Sequence, residues 1–271
     1  MLLPMPELPE VETVRRQLAP LVVGHRISEA WGHASAKFAS APFAAGATVD
    51  RIDRRGKYLL LGLDDARELI VHLGMTGRLR MQPTGEPDPY VRAWWALDDG
   101  RVLELRDVRR FGRIAVVPAG EYDSLPTLAA PGPEPWDPAL DDGGLWRRTR
   151  RSSARIKTQL LSQRPIAGVG NNYADEALWR SGVHPARRSI TRAEAGRLLG
   201  ELRAVLEQGI ANGGTTLRDY RDVDGGAGRN QLELACYGRA GEPCARCGTE
   251  LRRSVLDGRG GTHCPRCQPR R

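Results

Sequence analysis

The chain has 271 residues, 40% of them hydrophobic, and 41 Lys and Arg stand against 33 Asp and Glu for a net charge of +8. That length buries a real core and accommodates two domains, and the basic excess favours a polyanionic partner, of which nucleic acid is the commonest. No run of 18 apolar residues is present to span a membrane, and the start Met1-Leu2-Leu3-Pro4-Met5-Pro6-Glu7 lacks the basic and apolar stretches of a signal peptide.

In chain order, residues 10–20 read as a short helix ending near Pro20. From about 48 to 117 the pattern turns strand-like. Short β-rich runs fall at 48–52, 57–63, 68–73, 92–97, 102–105 and 114–117, punctuated by Gly and Asp-Gly turns. Six such runs predict a sandwich or barrel-like sheet. Residues 118–145 are rich in Pro, Gly and Asp and mark the best domain boundary. Beyond it the period becomes helical, with one helix over 145–163 and a second over 172–181. A third runs from about 192 to 211, opened by Thr191 and Glu194 at capping-box spacing. The glycine-rich stretch 224–228 reads as a flexible loop before the cysteines.

Those cysteines are the strongest local signal. Cys244-Ala245-Arg246-Cys247 is followed after sixteen residues by Cys264-Pro265-Arg266-Cys267. Two such knuckles joined by a hairpin close a tetrahedral thiolate site for one structural Zn2+. Cys236 lies outside the pattern and reads as a small buried hydrophobe. An odd cysteine count argues against a secreted disulfide framework and makes the cytoplasm the default compartment. The intervening hairpin carries Arg246, Arg252, Arg253, Arg259 and Arg266, a plausible reader of phosphates. Lysine, in contrast, is scarce: Lys37, Lys57 and Lys157 only.

The N-terminal run Met5-Pro6-Glu7-Leu8-Pro9-Glu10-Val11-Glu12 admits two readings. Proline and acids at a helix start are ordinary chemistry. Alternatively Pro6 is the true N-terminus, because initiator methionine is normally removed before proline. A terminal proline is a secondary amine able to attack a sugar carbon and form an iminium, with Glu7 beside it to handle protons.

This opening resembles that of the bacterial formamidopyrimidine-DNA glycosylases, and the likeness runs along the chain. It includes Arg55-Gly56-Lys57-Tyr58-Leu59, His72-Leu73-Gly74-Met75-Thr76-Gly77 and Asp107-Val108-Arg109-Arg110-Phe111-Gly112. It continues through Gly168-Val169-Gly170-Asn171-Asn172-Tyr173-Ala174-Asp175-Glu176, Gly213-Gly214-Thr215-Thr216, Tyr237-Gly238-Arg239 and the cysteine segment. The resemblance implies an α+β protein. Its parts would be an N-terminal β-sandwich over 6–118, a linker over 119–145, a helix-two-turn-helix domain over 146–230 and a zinc-finger hairpin over 236–271. It implies a monomer acting on double-stranded DNA that contains oxidised bases or abasic sites. Oxidised purines are excised and the strand is then cut by β- and δ-elimination, the damaged base having been flipped out of the stack.

Residue by residue, Pro6 matches the nucleophile, Glu7 its neighbouring acid and Glu10 a further acid near the site. Lys57 matches the proton donor and Arg259 the hairpin arginine of the second elimination. Met75, Arg109 and Phe111 match the side chains that fill the gap left by the flipped nucleotide. Asn171, in the turn opening the second helix, and Lys157 match DNA contacts. Residues 217–231 match the loop that closes over the extruded base. The chain departs from the family in three places. Met1–Pro4 precede the start, Tyr90 replaces a DNA-contacting histidine, and Ser152 replaces a basic residue. The rival readings are oxidised-pyrimidine excision, a catalytically silent lesion binder if Pro6 stays in an amide, and a zinc-ribbon regulator.

Overall fold

A computed structural model describes residues 5–83 and 88–270. Helix α1 (Leu8–Val22) starts on a capping box, in which the Glu7 amide donates to the Glu10 carboxylate at 2.8 Å. Pro20 sits in its last turn, where a missing amide costs one bond, so the helix runs on to Val22. Val11, Val14, Leu18 and Val22 form its apolar stripe.

Eight strands follow: β1 (Ile27–Gly32), β2 (Val49–Arg55), β3 (Tyr58–Leu63), β4 (Arg67–His72), β5 (Gly77–Pro83), β6 (Val91–Leu97), β7 (Arg101–Asp107) and β8 (Arg113–Pro118). They build two four-stranded antiparallel sheets, β1-β6-β7-β5 and β2-β3-β4-β8. The sheets form the predicted sandwich. Leu59, Leu61, Leu63, Leu69 and Val71 of one and Leu79, Ala93, Trp95, Leu103 and Leu105 of the other enter one core. Strand β3 is nearly all apolar because both its faces are covered. Leu60 and Ile70 point the other way, onto Leu125 and Leu128 of the segment carrying the short helix α2 (Pro126–Ala129). Residues 212–229 cluster with this sandwich.

A second unit comprises residues 130–211 and 230–270 of the described chain. It holds α3 (Asp142–Thr149), α4 (Ile156–Leu161), α5 (Asn171–Ser181), α6 (Arg192–Ala211) and the hairpin β9 (Arg252–Leu256)–β10 (Arg259–His263). The single helix predicted over 145–163 is two. Asp141 caps α3, accepting from the Gly144 amide at 2.6 Å. The start of α4 is set from outside, by the Ile156 and Lys157 amides donating to the carbonyls of Arg187 (2.6 Å) and Pro185 (3.2 Å). Helix α6 keeps its predicted bounds and capping box. The Thr191 amide reaches Glu194 at 2.7 Å, and the Glu194 amide returns to the Thr191 hydroxyl at 3.2 Å. Leu198, Leu199, Leu202, Val205 and Leu206 are its buried stripe. Gly209 of α6 lies against the Tyr173 ring, where a Cβ would come within 2.5 Å of the phenol oxygen. No helix among the described residues is long and apolar enough to cross a membrane.

Candidate functional sites

In the sandwich unit, Pro6 and Glu7 are buried at the head of α1. The capping box that starts the helix also secures residues far away in sequence. Glu10, 1% exposed, accepts from the Thr215 amide at 2.6 Å as well as from Glu7. The Tyr220 hydroxyl bonds the carbonyl of Gly213 at 3.2 Å. Burial raises the Tyr220 phenol, so it stays a donor. Gly214 has φ +86 and a Cβ there would meet Glu10 at 2.9 Å, so this close approach requires glycine. The segment leading into the predicted loop over 217–231 is thus tied to the helix that follows the predicted nucleophile. Gln17 extends the tie, bonding Asp222 and the Val223 amide, each at 3.1 Å.

Lys57 follows the Gly56 turn of the β2–β3 hairpin and is 6% exposed. The turn is fixed to α1 through Arg54, which donates to the Gly56 carbonyl and to the Glu12 carboxylate, both at 3.1 Å. Burial opposes the charge on Glu12, but hydrogen bonds from Arg15 and Arg16 outweigh it and hold the carboxyl at about 2. On the other side of β3, His72 of β4 pairs opposite Tyr58, their rings 4.6 Å apart. Burial, together with the charges of Lys57 and Arg113, lowers His72 to about 4. At neutral pH His72 is therefore uncharged, and its Nδ1 accepts from the Gly74 amide at 3.2 Å.

Met75 lies just beyond, half-buried, while Arg109 and the 43%-exposed Phe111 occupy the neighbouring loop. The Arg109 guanidinium stands over the Phe111 ring at 4.7 Å. Tyr90 is exposed at the start of β6, with Arg106 over its ring at 4.8 Å. The loops that carry Met75 and Arg109–Phe111 meet although more than 30 residues separate them, the Arg109 amide donating to the Thr76 hydroxyl and Gly74 lying against the Phe111 backbone.

In the helical unit, the four sulfurs of Cys244, Cys247, Cys264 and Cys267 lie within 4.8 Å of one another. Cys247 and Cys264 are 3.5 Å apart, Cys244 and Cys267 4.0 Å. Tetrahedral zinc with about 2.3 Å bonds requires sulfurs about 3.8 Å apart, so the set fits zinc and leaves no open position. Cys236 is fully buried, as its reading as a hydrophobe requires, with Sγ 3.2 Å from the Thr262 carbonyl.

The zinc segment is anchored on α5. Glu176 accepts from three consecutive amides, Ala235 (3.2 Å), Cys236 (2.8 Å) and Tyr237 (2.7 Å). Asp175 accepts from Thr262 at 2.9 Å and pairs with Lys157 at 2.6 Å, both side chains being 1% exposed. Burial raises the Asp175 carboxyl to about 6 against the pull of Lys157. Lys157 also donates to the Gly260 carbonyl at 3.0 Å. Its amine thus points inward, onto the hairpin, rather than to a surface. A Cβ on Gly261 would come within 2.2 Å of that amine, so only glycine admits the contact. Sequence reasoning found the motif holding Asp175 and Glu176 but gave neither a role, since nothing local says that a helix turns two carboxylates toward a distant hairpin.

Arg259 is exposed immediately after the Asp257-Gly258 turn, with Asp257 at φ 49 and Gly258 at φ 78, a two-residue hairpin turn. Helix α4 clamps the tip, with Thr158 donating to Asp257 at 2.5 Å and Arg155 paired with the same carboxylate. Asn171 lies at the first turn of α5, its amide group 3.5 Å from the Tyr237 hydroxyl. Ser152 is exposed, its hydroxyl accepting from the Ala154 amide at 3.1 Å.

Residues 5–114 match the formamidopyrimidine-DNA glycosylase N-terminal domain, residues 131–221 the H2TH domain of the same enzymes, and residues 241–270 the zinc finger found in FPG and IleRS. The chain belongs to the formamidopyrimidine-DNA glycosylase family. The enzyme of that name from Thermus thermophilus is 46% identical over 97% of this chain and 98% of its own. The one from Deinococcus radiodurans is 43% identical, covering 98% of each. The crystal structure of the Thermus thermophilus protein superposes with a TM-score of 0.90 over 97% of this chain and 98% of its own. A Lactococcus lactis Fpg mutant, solved in complex with Fapy-dG containing DNA, gives 0.88 at 33% identity over 98% of this chain and all of its own. Membership of this family makes the chain a DNA glycosylase with a structural zinc, and sets aside the zinc-ribbon regulator.

Proposed function

We propose that the chain excises oxidised purines, 8-oxoguanine and formamidopyrimidines, from double-stranded DNA. It then cleaves the abasic strand through a Schiff base on Pro6. The observation that carries the residue assignment is the burial of Pro6 and Glu7 at the head of α1, inside a family match that begins at residue 5. Once Met5 is removed, the Pro6 nitrogen is a secondary amine. It attacks the sugar C1′ as the bond to the base breaks, and the base leaves with a proton supplied by Lys57. Opening of the sugar ring gives the iminium. Loss of a proton from C2′ expels the 3′ phosphate, and a second elimination, assisted by Arg259 at the flanking phosphate, expels the 5′ phosphate. Glu7 shuttles protons at the sugar, and Glu10 holds the helix head and the 212–229 loop in register.

Met75, Arg109 and Phe111 fill the gap left by the flipped nucleotide. Asn171 and the amides opening α5 grip a phosphate, and Tyr90 and Ser152 add neutral contacts where the family uses cations. Lys157 serves DNA indirectly, through the hairpin it holds. A monomer working at the bacterial nucleoid suits these assignments.

The test is borohydride trapping on a duplex with one 8-oxoguanine opposite cytosine. Protein produced from a Met5 start is expected to form a covalent protein–DNA band, and protein held at a Met1 start is not. No band from the Met5 form, with lesion binding retained, would overturn the lyase assignment in favour of the silent binder.

A further inference from the structure

The two loops that carry Met75 and Arg109–Phe111 meet on one carboxylate. Asp107, at the end of β7, is fully buried. Its Oδ1 accepts from the Thr76 hydroxyl at 2.5 Å and its Oδ2 from the Gly112 amide at 2.7 Å. Thr76 in turn accepts from the Arg109 amide at 3.2 Å. A continuous chain therefore runs from the Arg109 amide through the Thr76 hydroxyl to Asp107 and on to the Gly112 amide. It encloses the segment 109–111 from both ends and fastens it to the residue next to Met75.

The backbone is built for this closeness. Gly74 has φ +64, and a Cβ there would lie 2.4 Å from the Phe111 carbonyl carbon. Arg110 is left-handed at φ 55, and Lys37 caps its carbonyl at 2.8 Å. Both oxygens of this buried carboxylate are spent on loop donors. A charge in that position is costly unless it is fully hydrogen-bonded, which gives the two loops one strongly preferred arrangement.

We propose that Asp107 and Thr76 are positioning residues that lock Met75, Arg109 and Phe111 into one preformed wedge, so that the protein meets duplex DNA with its gap-filling group already assembled. The proposal rests on the gap-filling role given to those three side chains above. A wedge organised in advance saves the ordering cost that separate loops would incur on binding. It matters most where a stacked duplex must be opened and less in single-stranded DNA.

The experiment compares Thr76→Val, Thr76→Ser and Asp107→Asn with the unsubstituted chain, all from a Met5 start. Lyase rate is measured at one preformed abasic site, once in a duplex and once in the same strand alone. Thr76→Val removes the hydroxyl at nearly constant volume. It is expected to lower kcat/KM on the duplex about tenfold, as the loss of one charge-assisted hydrogen bond implies, with a smaller loss on the single strand. Thr76→Ser restores most of the duplex rate. Asp107→Asn follows Thr76→Val in direction, and because Thr76 lies at a half-buried turn the test survives if the Asp107 variant does not fold. Equal losses on the two substrates, or a serine variant no better than valine, would overturn the clamp. If the unsubstituted chain cleaves neither substrate, the site assignment falls. The clamp is then judged on binding, where Thr76→Val must weaken affinity for the abasic duplex more than for the abasic single strand.

Discussion

The β2–β3 hairpin and the β9–β10 hairpin each present one predicted functional cation, Lys57 and Arg259, by different means. The first sits on a sandwich with a large apolar core, and its turn is trimmed into place by Arg54 and Glu12. The second has little core of its own. Trp179, Cys236, Cys244, Leu251 and Cys264 are the buried apolar residues around the cysteines. Its shape depends on the metal, on the two carboxylates of α5 and on the clamp from α4 to Asp257. A hydrophobic sandwich is stable on its own account, whereas a zinc hairpin folds with its ion, so the two halves of the chemistry should fail separately.

Removing zinc is the hardest test of that difference. Structural zinc contributes on the order of 10 kcal/mol to small cysteine modules. A strong chelator, or Cys244→Ser with Cys247→Ser, is therefore expected to abolish duplex binding and the second elimination while the circular dichroism of the sandwich persists. Coincident loss of the sandwich signal would contradict separate stabilities.

Acid probes the other hairpin. Glu12 is held at about 2 in the fold against 4.5 when unperturbed. The depressed value means that its stabilisation is complete above pH 4.5 and is lost as pH falls toward 2, with a ceiling of about 3 kcal/mol. Denaturant midpoints are expected to drop across that window, and Glu12→Gln to flatten the drop. A midpoint insensitive to pH between 4.5 and 2 in the parent would show that Glu12 does not hold the Lys57 turn.

Much of this is legible in the sequence. The zinc knuckles, the capping box of α6 and six of the eight sandwich strands are local signals. The two unpredicted strands show where such signals stop. Strand β1 buries only its first residue fully, so its alternation is faint. Strand β5 alternates, but arginines stand between its apolar residues, and Arg80 is held by a partner remote in sequence, bonding Glu104 at 2.9 Å on the paired strand. The split between α3 and α4 likewise comes from carbonyls of residues 185 and 187. At the sites, motifs name the side chains proposed to touch DNA but not those that hold them in place. Asp107, Asp175 and Glu176 act through backbone amides brought near by the fold, and Lys157 turns inward for the same reason.

The most direct measurement of the central claim is the identity of the residue that carries the trapped sugar. Protein from a Met5 start, reduced with borohydride on the 8-oxoguanine duplex, digested and sequenced by tandem mass spectrometry, is predicted to carry the adduct on the nitrogen of Pro6 in the N-terminal peptide. An adduct on Lys57, or on any other lysine, with Pro6 recovered unmodified, would contradict it.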